Sequence, residues 1–436
     1  MDLDALRRSL LDARDERASL LAAVTSRAIV FLSLNVPGPD KNSPRFDRIL
    51  SRGRAAVLRA VRNGEPLAEG RDALGPYALV ATSSSAVEAK RACARLEESL
   101  PFGRLLDLDV FGPEGRQVDR ASLGLPPRRC LACDSAAVDC IRSQRHALPE
   151  LISAVDRLAR EPLAALARSL VNGARAELDL TPKPGLVDRA DNGSHPDLSW
   201  ELMSRAIDEL PWYYEELIAL GEAGDPDLAA CAAAGIRAEA RMAAAAGSNT
   251  HRGYLFLSGL LLLAAAADTT GTDCGWREQI RALAGCLVGR HGSPAGSSHG
   301  EEARRRHGVR GVRGEALGGL PSVFDHGLPA FRRGLLAFGA REAAQHYLMA
   351  VLMTTVEDTT AIHRCGPAGL ARLKADGAAL AALLEGNGDH LARLRSLNGE
   401  YRAMRLTMGG VADCLALTLA VHEAGPWEAS PAIPGP

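Results

Sequence analysis

The stretch Leu151 to Glu177, LISAVDRLAREPLAALARSLVNGARAE, decides how the chain is divided. It is rich in alanine and leucine and poor in β-branched runs, so it reads as helix. The sequence beyond it keeps that texture: Asp227 to Ala246, Gly334 to Thr355 and Ala368 to Leu384 again have helical character, which predicts an all-helical second part. Before it, short apolar runs bounded by Pro, Gly and Asn, such as Ala28 to Val36 and Tyr77 to Thr82, mix with helical stretches such as Asp2 to Ala22. That is an α/β pattern. A chain of 436 residues exceeds what one hydrophobic core usually supports. We therefore expect two domains, 1–155 of α/β type and 156–436 all-α, with the change between His146 and Pro162.

Hydrophobic residues make up 47% and charged residues 24% of the chain, the balance of an ordinary soluble globular protein. A formal net charge of -2 gives no general attraction to nucleic acid or to a membrane. Anionic ligands must then be met by local basic clusters. The opening segment MDLDALRRSLLDARDERASLL is charged throughout and has no apolar core before a cleavage site, so the protein is expected to stay in the cytoplasm. The longest apolar stretch, Leu255 to Ala267, is interrupted by Ser258 and Gly259 and is shorter than the roughly 20 residues of a membrane span; a buried helix is expected. Nine cysteines without an export signal argue for thiols or a metal rather than disulfides. Basic charge is nearly all arginine, with lysine only at Lys41, Lys90, Lys183 and Lys374. A lysine kept against that bias can do what arginine cannot, as a compact point charge on phosphate.

Within the first part, Gly103 to Val110, GRLLDLDV, reads as a strand in which Asp107 and Asp109 share one face while Leu106, Leu108 and Val110 share the other. Two carboxylates on one face suit Mg²⁺ and a nucleotidyl-transfer site; a solvated strand face is the plainer alternative. Upstream, the Pro-Gly-Pro turn of Leu34 to Asn42 carries Asn35, Lys41 and Asn42 and could present its lysine to a phosphate, or be a simple surface turn. Downstream, Cys130, Cys133, Cys140 and His146 follow the spacing C-x2-C-x6-C-x5-H, four ligands suited to tetrahedral Zn²⁺. Reduced buried thiols and a nucleic-acid zinc ribbon are the competing explanations. Arg128, Arg129, Arg142 and Arg145 flank the cluster and suit a polyphosphate.

Together LLDARDERASLL, SLNVPGPDKNSP, Lys90 with PFGRLLDLDV, and LGLPPRRCLACDSAAVDC with His146 resemble holo-citrate lyase synthase over most of residues 10 to 150. That family, apo-citrate lyase phosphoribosyl-dephospho-CoA transferase, moves a prosthetic-group precursor onto a serine of the acyl-carrier subunit and releases pyrophosphate. The resemblance implies a nucleotidyltransferase-like domain in which Asp107 and Asp109 are catalytic metal ligands. It makes Asn35, Lys41, Asn42, Arg104, Arg128 and Arg129 candidates for the triphosphate.

Polar islands interrupt the helical part. They are Leu180 to Asp197 (LTPKPGLVDRADNGSHPD), Gly247 to Gly253 (GSNTHRG), Ser298 to Ala316 (SHGEEARRRHGVRGVRGEA) and Glu357 to Arg364 (EDTTAIHR). Prolines hold Lys183 in extended chain, GSNTHRG offers backbone amides with His251 and Arg252 to an anion, and glycines around Arg310 and Arg313 let a ligand approach closely. Thr359 and His363 lie one turn apart on a helix, beside the possible Mg²⁺ ligands Glu357 and Asp358. Mobile loops and solvated acids are the plainer readings of each island alone. In this order, with GGLPSV and MGGVADCLALT, the islands resemble triphosphoribosyl-dephospho-CoA synthase from about Ala164 onward. That family takes ATP and dephospho-CoA, displaces adenine and keeps the triphosphate. The resemblance implies phosphate or nucleotide contacts from Lys183, His195, Asn249, His251, Arg252, Arg310, Arg313 and His363, metal contacts from Glu357 and Asp358, and a base at Asp188 or Glu315. Thr360 stands where asparagine is usual and Arg252 where lysine is usual. Assembly of the malonate decarboxylase group and a non-catalytic carrier-docking module are the rival functions; no nucleic-acid or membrane partner is expected.

Overall fold

The computed structural model describes residues 3–22, 27–222, 226–247, 250–270, 272–290 and 305–425. The chain separates into two compact units, one made chiefly of Met1–Pro162 and the other of Leu163–Ala267 with Asp273–Pro426.

The first unit is a small antiparallel sheet with helices. Strands β1 (Ala28–Leu34), β2 (Glu65–Asp72), β3 (Gly75–Thr82), β4 (Leu106–Phe111) and β5 (Gln117–Val118) lie in the order β2-β3-β1-β4-β5. Every neighbouring pair is antiparallel. One face carries α2 (Pro44–Ala60) and α3 (Ala86–Ser99), which bury Phe46, Ile49, Val57, Cys93 and Leu96 against Val30, Leu32, Val80 and Leu108. Helix α3 starts with a capping box, in which Ser85 and Glu88 exchange side-chain and backbone hydrogen bonds. The other face holds a smaller cluster of Ile29, Phe31 and Leu79 under Leu21 of α1 (Leu3–Ala22). Arg17 of α1 crosses it, 4.8 Å from the Tyr77 ring, and its guanidinium donates to Asp72 at 2.7 Å.

Strand β4 alternates as its sequence requires. Leu106, Leu108 and Val110 are wholly buried, and Asp107 and Asp109 point to the opposite face, level with Ser33 and Phe31 of β1. The three residues before it form a 3₁₀ turn, Gly103–Leu105, where a strand was expected. Gly103 leaves no room for a side chain, since a Cβ there would lie 2.5 Å from the Glu97 carbonyl oxygen. Strand β2, EPLAEGRD, has no apolar run and was not foreseen; it is a polar edge strand, a usual way to blunt a sheet edge. A short helix, α4 (Ala137–Arg142), follows the cysteine-rich loop.

Helix α5 (Leu148–Asp179) runs through the Leu151 to Glu177 stretch with Pro162 inside it. Beyond it the second unit is helical. Its elements are α6 (Trp200–Ile207), α7 (Leu210–Glu222), α8 (Leu228–Ala246), α9 (Arg252–Ala267), α10 (Asp273–Arg290), α11 (Gly311–Gly318), α12 (Leu328–Phe338), α13 (Arg341–Thr355), α14 (Thr359–Glu385), α15 (His390–Met404) and α16 (Gly409–Ala424). Helix α9 covers the apolar stretch Leu255 to Ala267 and is buried almost throughout, as is α16. Helices apolar on all sides belong in a core. No helix among the described residues is long and apolar enough to cross a membrane. The expected single helix from Gly334 to Thr355 is two, α12 and α13, because Gly339 ends α12 at φ +67°. Gly366, also at φ +67°, breaks α14 just before Pro367.

Close approach of α5 and α16 depends on Gly173. A Cβ there would lie 2.3 Å from the Ala416 carbonyl oxygen and 2.8 Å from the Ala420 Cβ. Gly173→Val should cost about 1–3 kcal/mol of stability through overpacking. Urea unfolding followed by circular dichroism checks this: an unchanged midpoint would mean that the two helices are free to separate.

Candidate active sites

The first site is built on the open edge of β4. Pairing with β5 covers only Val110 and Phe111, so backbone groups nearer the start of the strand need other partners. Side chains supply them. Lys90 Nζ donates to the Leu108 carbonyl at 2.8 Å, Leu108 N donates to Glu97 at 3.1 Å, and Arg128 donates to the Leu106 carbonyl. The same cations meet the two aspartates: Arg128 Nη1 donates to Asp107 at 2.6 Å and Lys90 Nζ lies 4.0 Å from Asp109. Gln117 donates to Asp109 at 2.8 Å. Burial, with Asp107 adding its charge, holds the Asp109 carboxyl above its ordinary pKa. Two acids interleaved with two cations can hold a divalent ion and a polyphosphate side by side.

The cysteine-rich loop lies beside this edge. Arg104 donates to the carbonyls of Cys130 at 3.2 Å and Cys133 at 3.3 Å and to Asp134 at 2.7 Å. The loop is closed by a bridge between Arg129 and Ala136. It brings ligand atoms of Cys130, Cys133, Cys140 and His146 within 4.8 Å of one another. Cys133 Sγ is 3.5 Å from Cys140 Sγ and 3.4 Å from His146 Nε2. Glu150 binds the other ring nitrogen of His146 at 2.7 Å, so Nε2 is turned toward the sulfurs. The Ser135 backbone N–H, then His146, pull the Cys133 thiol down to about 6, while burial pushes Cys140 up to about 11. Three soft sulfurs and one oriented imidazole within this span fit Zn²⁺.

In the second unit a pocket opens where α9, α11, the junction of α13 with α14, and the start of α16 meet. Glu315, Glu357, Thr359, Gly410 and Asp413 line it. Each acid is held differently. Glu315 accepts from Ser322 N at 3.1 Å and Ser322 Oγ at 2.6 Å, in a π-helical turn, Ser322–Gly327. Glu357 accepts from Arg310 N at 2.7 Å. Asp413 accepts a backbone N–H from Tyr254. Burial raises the pKa of Glu315 and carries that of Asp413 well above the carboxylate range, with Asp358 and Glu177 adding to the second. Asp358 caps α14: its Oδ1 accepts from Thr360 N at 2.9 Å and Ala361 N at 3.0 Å, and its Oδ2 from Val411 N at 3.0 Å.

A family model for ATP:dephospho-CoA triphosphoribosyl transferase matches residues 163–431, and one for apo-citrate lyase phosphoribosyl-dephospho-CoA transferase matches residues 6–161. The chain belongs to the ATP:dephospho-CoA triphosphoribosyl transferase family. Among similar proteins, the "Probable 2-(5''-triphosphoribosyl)-3'-dephosphocoenzyme-A synthase" of Azotobacter vinelandii is 38% identical over 58% of this chain and 89% of its own length. A "Protein CitXG" of Leuconostoc mesenteroides subsp. cremoris is 29% identical over 83% of this chain and 85% of its own. Another of that name from Haemophilus influenzae is 27% identical, over 83% of each. The chain is thus a bifunctional transferase of citrate lyase prosthetic-group assembly, whose carboxy-terminal part makes triphosphoribosyl-dephospho-CoA.

Within this family frame the expected site residues are placed unevenly. Asp107, Asp109 and Arg128 come together, and so do Glu315 and Glu357, with Arg310 and Arg313 on the adjacent turn. Others are held by partners within the chain. Lys183, expected on phosphate, is fully buried, and its ammonium sits on Glu177 Oε1 at 2.6 Å. Asp188, expected as a base, accepts Lys183 N at 2.9 Å, Ala190 N at 2.7 Å and Asp191 N at 3.1 Å, which makes it the organiser of its loop. Asp358, expected on Mg²⁺, is fully buried with both oxygens engaged, so it is a cap. Arg104 and Arg129 both reach Asp134 of the cysteine loop.

Asn42 donates to the Asp72 carbonyl at 2.9 Å, Lys41 has its pKa lowered by burial and by Arg17, and Asn35 N donates to the Leu105 carbonyl at 2.7 Å. His195 pairs with Thr407 at 2.9 Å, exposed Arg252 lies 3.3 Å from Glu239, and exposed His363 is in the first turns of α14. His251 opens α9 at φ +54°; burial, with Lys183 nearby, takes its imidazole down to about 4. Asn249 lies outside the described residues. Sequence reasoning missed Lys90, Glu97, Glu177 and Asp413 as site residues. Lys90 was visible as a lysine kept in an arginine-rich chain, and Asp413 as an acid in an apolar run.

The Lys183–Glu177 pair is shielded from water on both sides, so removing one partner strands a charge. Lys183→Met should cost about 3–5 kcal/mol, and Lys183→Met with Glu177→Met considerably less. Chemical unfolding of both variants tests this; equal losses would mean that the pair is not coupled.

Proposed function

We propose that the second domain, drawn from residue 156 to 436, joins a ribose hydroxyl of dephospho-CoA to the ribose of ATP with loss of adenine. The first, 1–155, then passes the product to a serine of the citrate lyase acyl-carrier subunit with loss of pyrophosphate. The observation that carries this is that each matched segment contains its own acid-lined site, one interleaved with cations and one set in a pocket. The sheet presenting Asp107 and Asp109 on one strand face supports a nucleotidyltransferase-like reading of the first domain.

In the transfer step the serine oxygen forms a bond to the phosphorus nearest the ribose while the bond to pyrophosphate breaks. Arg128 and Lys90 neutralise charge on the phosphates, and Arg104 holds the cysteine loop in place. Asp107 and Asp109 would hold Mg²⁺, which would supply further charge neutralisation. Cys130, Cys133, Cys140 and His146 would hold Zn²⁺, which would cross-link the loop that carries Arg128 and Arg129. In the synthase, Glu357 together with Arg310 and Arg313 faces the triphosphate, and Mg²⁺ would bind at Glu357. The work belongs in the cytoplasm, where ATP is supplied.

Incubation with ATP, Mg²⁺ and dephospho-CoA, followed by apo carrier, tests both halves. Free adenine and a mass gain on the carrier are expected, and absence of both refutes the assignment. A chain that modifies only a malonate decarboxylase carrier would support that rival. Asp107→Asn should reduce carrier labelling roughly 100-fold or more and leave adenine release intact. Metal analysis of the purified chain should find about one equivalent of zinc, lost together with thermal stability in Cys133→Ser. A metal-free chain of full stability would remove zinc from the account.

A further inference from the structure

Glycosyl transfer from ATP to an alcohol needs a group in contact with the attacking hydroxyl that can take its proton. The pocket of the helical unit is lined by three carboxylates, Glu315, Glu357 and Asp413, and the first two are already committed. Glu315 is fixed by two hydrogen bonds from Ser322, and Glu357 by the Arg310 N–H. Outside the pocket lining, Asp358 caps α14 and Asp188 organises its loop, each buried with both oxygens engaged by backbone donors. Asp413 differs. It lies in the first turns of α16, in a run where Val411 and Cys414 to Val421 are buried, and it faces the pocket while accepting one backbone N–H.

The first turn of α9 is shaped to this carboxylate. A Cβ at Gly253 would lie 2.0 Å from Asp413 Oδ2, so a side chain at that position would displace the acid. Two residues earlier, both ring nitrogens of His251 are buried without a hydrogen-bond partner among the described residues, and so is Thr250 Oγ1. Buried polar groups without partners among the described residues, two and three positions before the glycine that meets Asp413, point to a ligand that satisfies them.

Resting on the synthase reading above, we propose that Asp413 is the catalytic base of adenine displacement, taking the proton from the attacking ribose hydroxyl of dephospho-CoA. The hydroxyl oxygen forms a bond to the anomeric carbon of the ATP ribose as the bond from that carbon to the adenine nitrogen breaks. Adenine leaves with the bonding pair and takes a proton from water. Asp413 returns the captured proton to water, so atoms and charge balance. A proton taken up by Asp413 is held more firmly than in water, because burial and the nearby Asp358 and Glu177 raise its proton affinity.

The test uses the full chain. Asp413→Asn should lower kcat for adenine release by about 10²–10⁴-fold with the KM for ATP and the Mg²⁺ concentration for half-maximal rate unchanged. Added formate should restore part of the rate in Asp413→Ala. The same variants should label carrier normally from ready-made triphosphoribosyl-dephospho-CoA, and Asp413→Asn should keep the wild-type melting temperature, the acid being replaced by a neutral isostere. Should Asp413→Asn prove unstable, Asp413→Glu, which keeps the carboxylate but moves it, should show the same fall in kcat. Adenine release by the variant within about tenfold of wild type would overturn the proposal. So would a loss that saturating Mg²⁺ repairs, since Asp413 would then be a metal ligand. A wild-type chain that releases no adenine would fail the synthase reading itself, before Asp413 is at issue.

Discussion

The carboxylate of Asp358 is the constraint on which the helical site depends. One oxygen collects the first amides of α14 and the other collects Val411 N of α16, so a single buried acid fastens two helix starts together. Helix starts leave unpaired N–H groups and a positive end, and a buried carboxylate answers both needs. Thr360 extends the clasp, donating to Asp358 and accepting from Gly409 N at 2.8 Å. With the two starts pinned, Glu357 and Thr359 from one helix and Gly410 and Asp413 from the other must share a pocket. The Thr360 hydroxyl thus does the bridging itself.

Lys183 and Asp188 show the same economy one layer back. Asp188 ties its own loop to Lys183 N, and Lys183 reaches Glu177 at the end of α5. Gly185 N is accepted by Asn398, which donates onward to Asp191 at 2.7 Å, anchoring the loop to α15. These residues tie the segment after α5 to α5 itself and to α15. Buried polar groups of this kind require complete pairing, since each unpaired one costs about 1–3 kcal/mol.

What was legible in the sequence follows from what each pattern physically constrains. The alternation LDLDV admits one solution once a face is buried, so the shared face of Asp107 and Asp109 was readable. The C-x2-C-x6-C-x5-H spacing is likewise local, and its four ligand atoms do converge. The alanine- and leucine-rich run from Leu151 similarly announces helix whatever surrounds it. Strand β2 was hidden because its residues carry no apolar signal; it exists because β3 offers a ladder to pair with. The duties of Lys183, Asp188 and Asp358 were hidden for the opposite reason. Their residue types suit catalysis and capping equally, and only long-range partners such as Val411 decide between them.

On the reading proposed above, the two sites handle a triphosphate in contrasting ways, and the contrast follows from their chemistry. Attack on phosphorus must neutralise charge that accumulates on phosphate oxygens, and β4 offers it cations, Arg128 and Lys90, held by the backbone groups of its open edge. Breaking a glycosidic bond must leave the phosphates inert while positive charge grows on the ribose. On the same reading, Glu315 and Asp413 of the pocket would lie toward the ribose and Glu357 toward the triphosphate. Asp107 and Asp109 can afford to be partly exposed because a charged partner meets each one. Asp413, likewise half-buried, has its proton affinity raised by its surroundings, with Asp358 and Glu177 nearby. A glycine at position 253 makes room for this acid, since a Cβ there would lie 2.0 Å from its Oδ2.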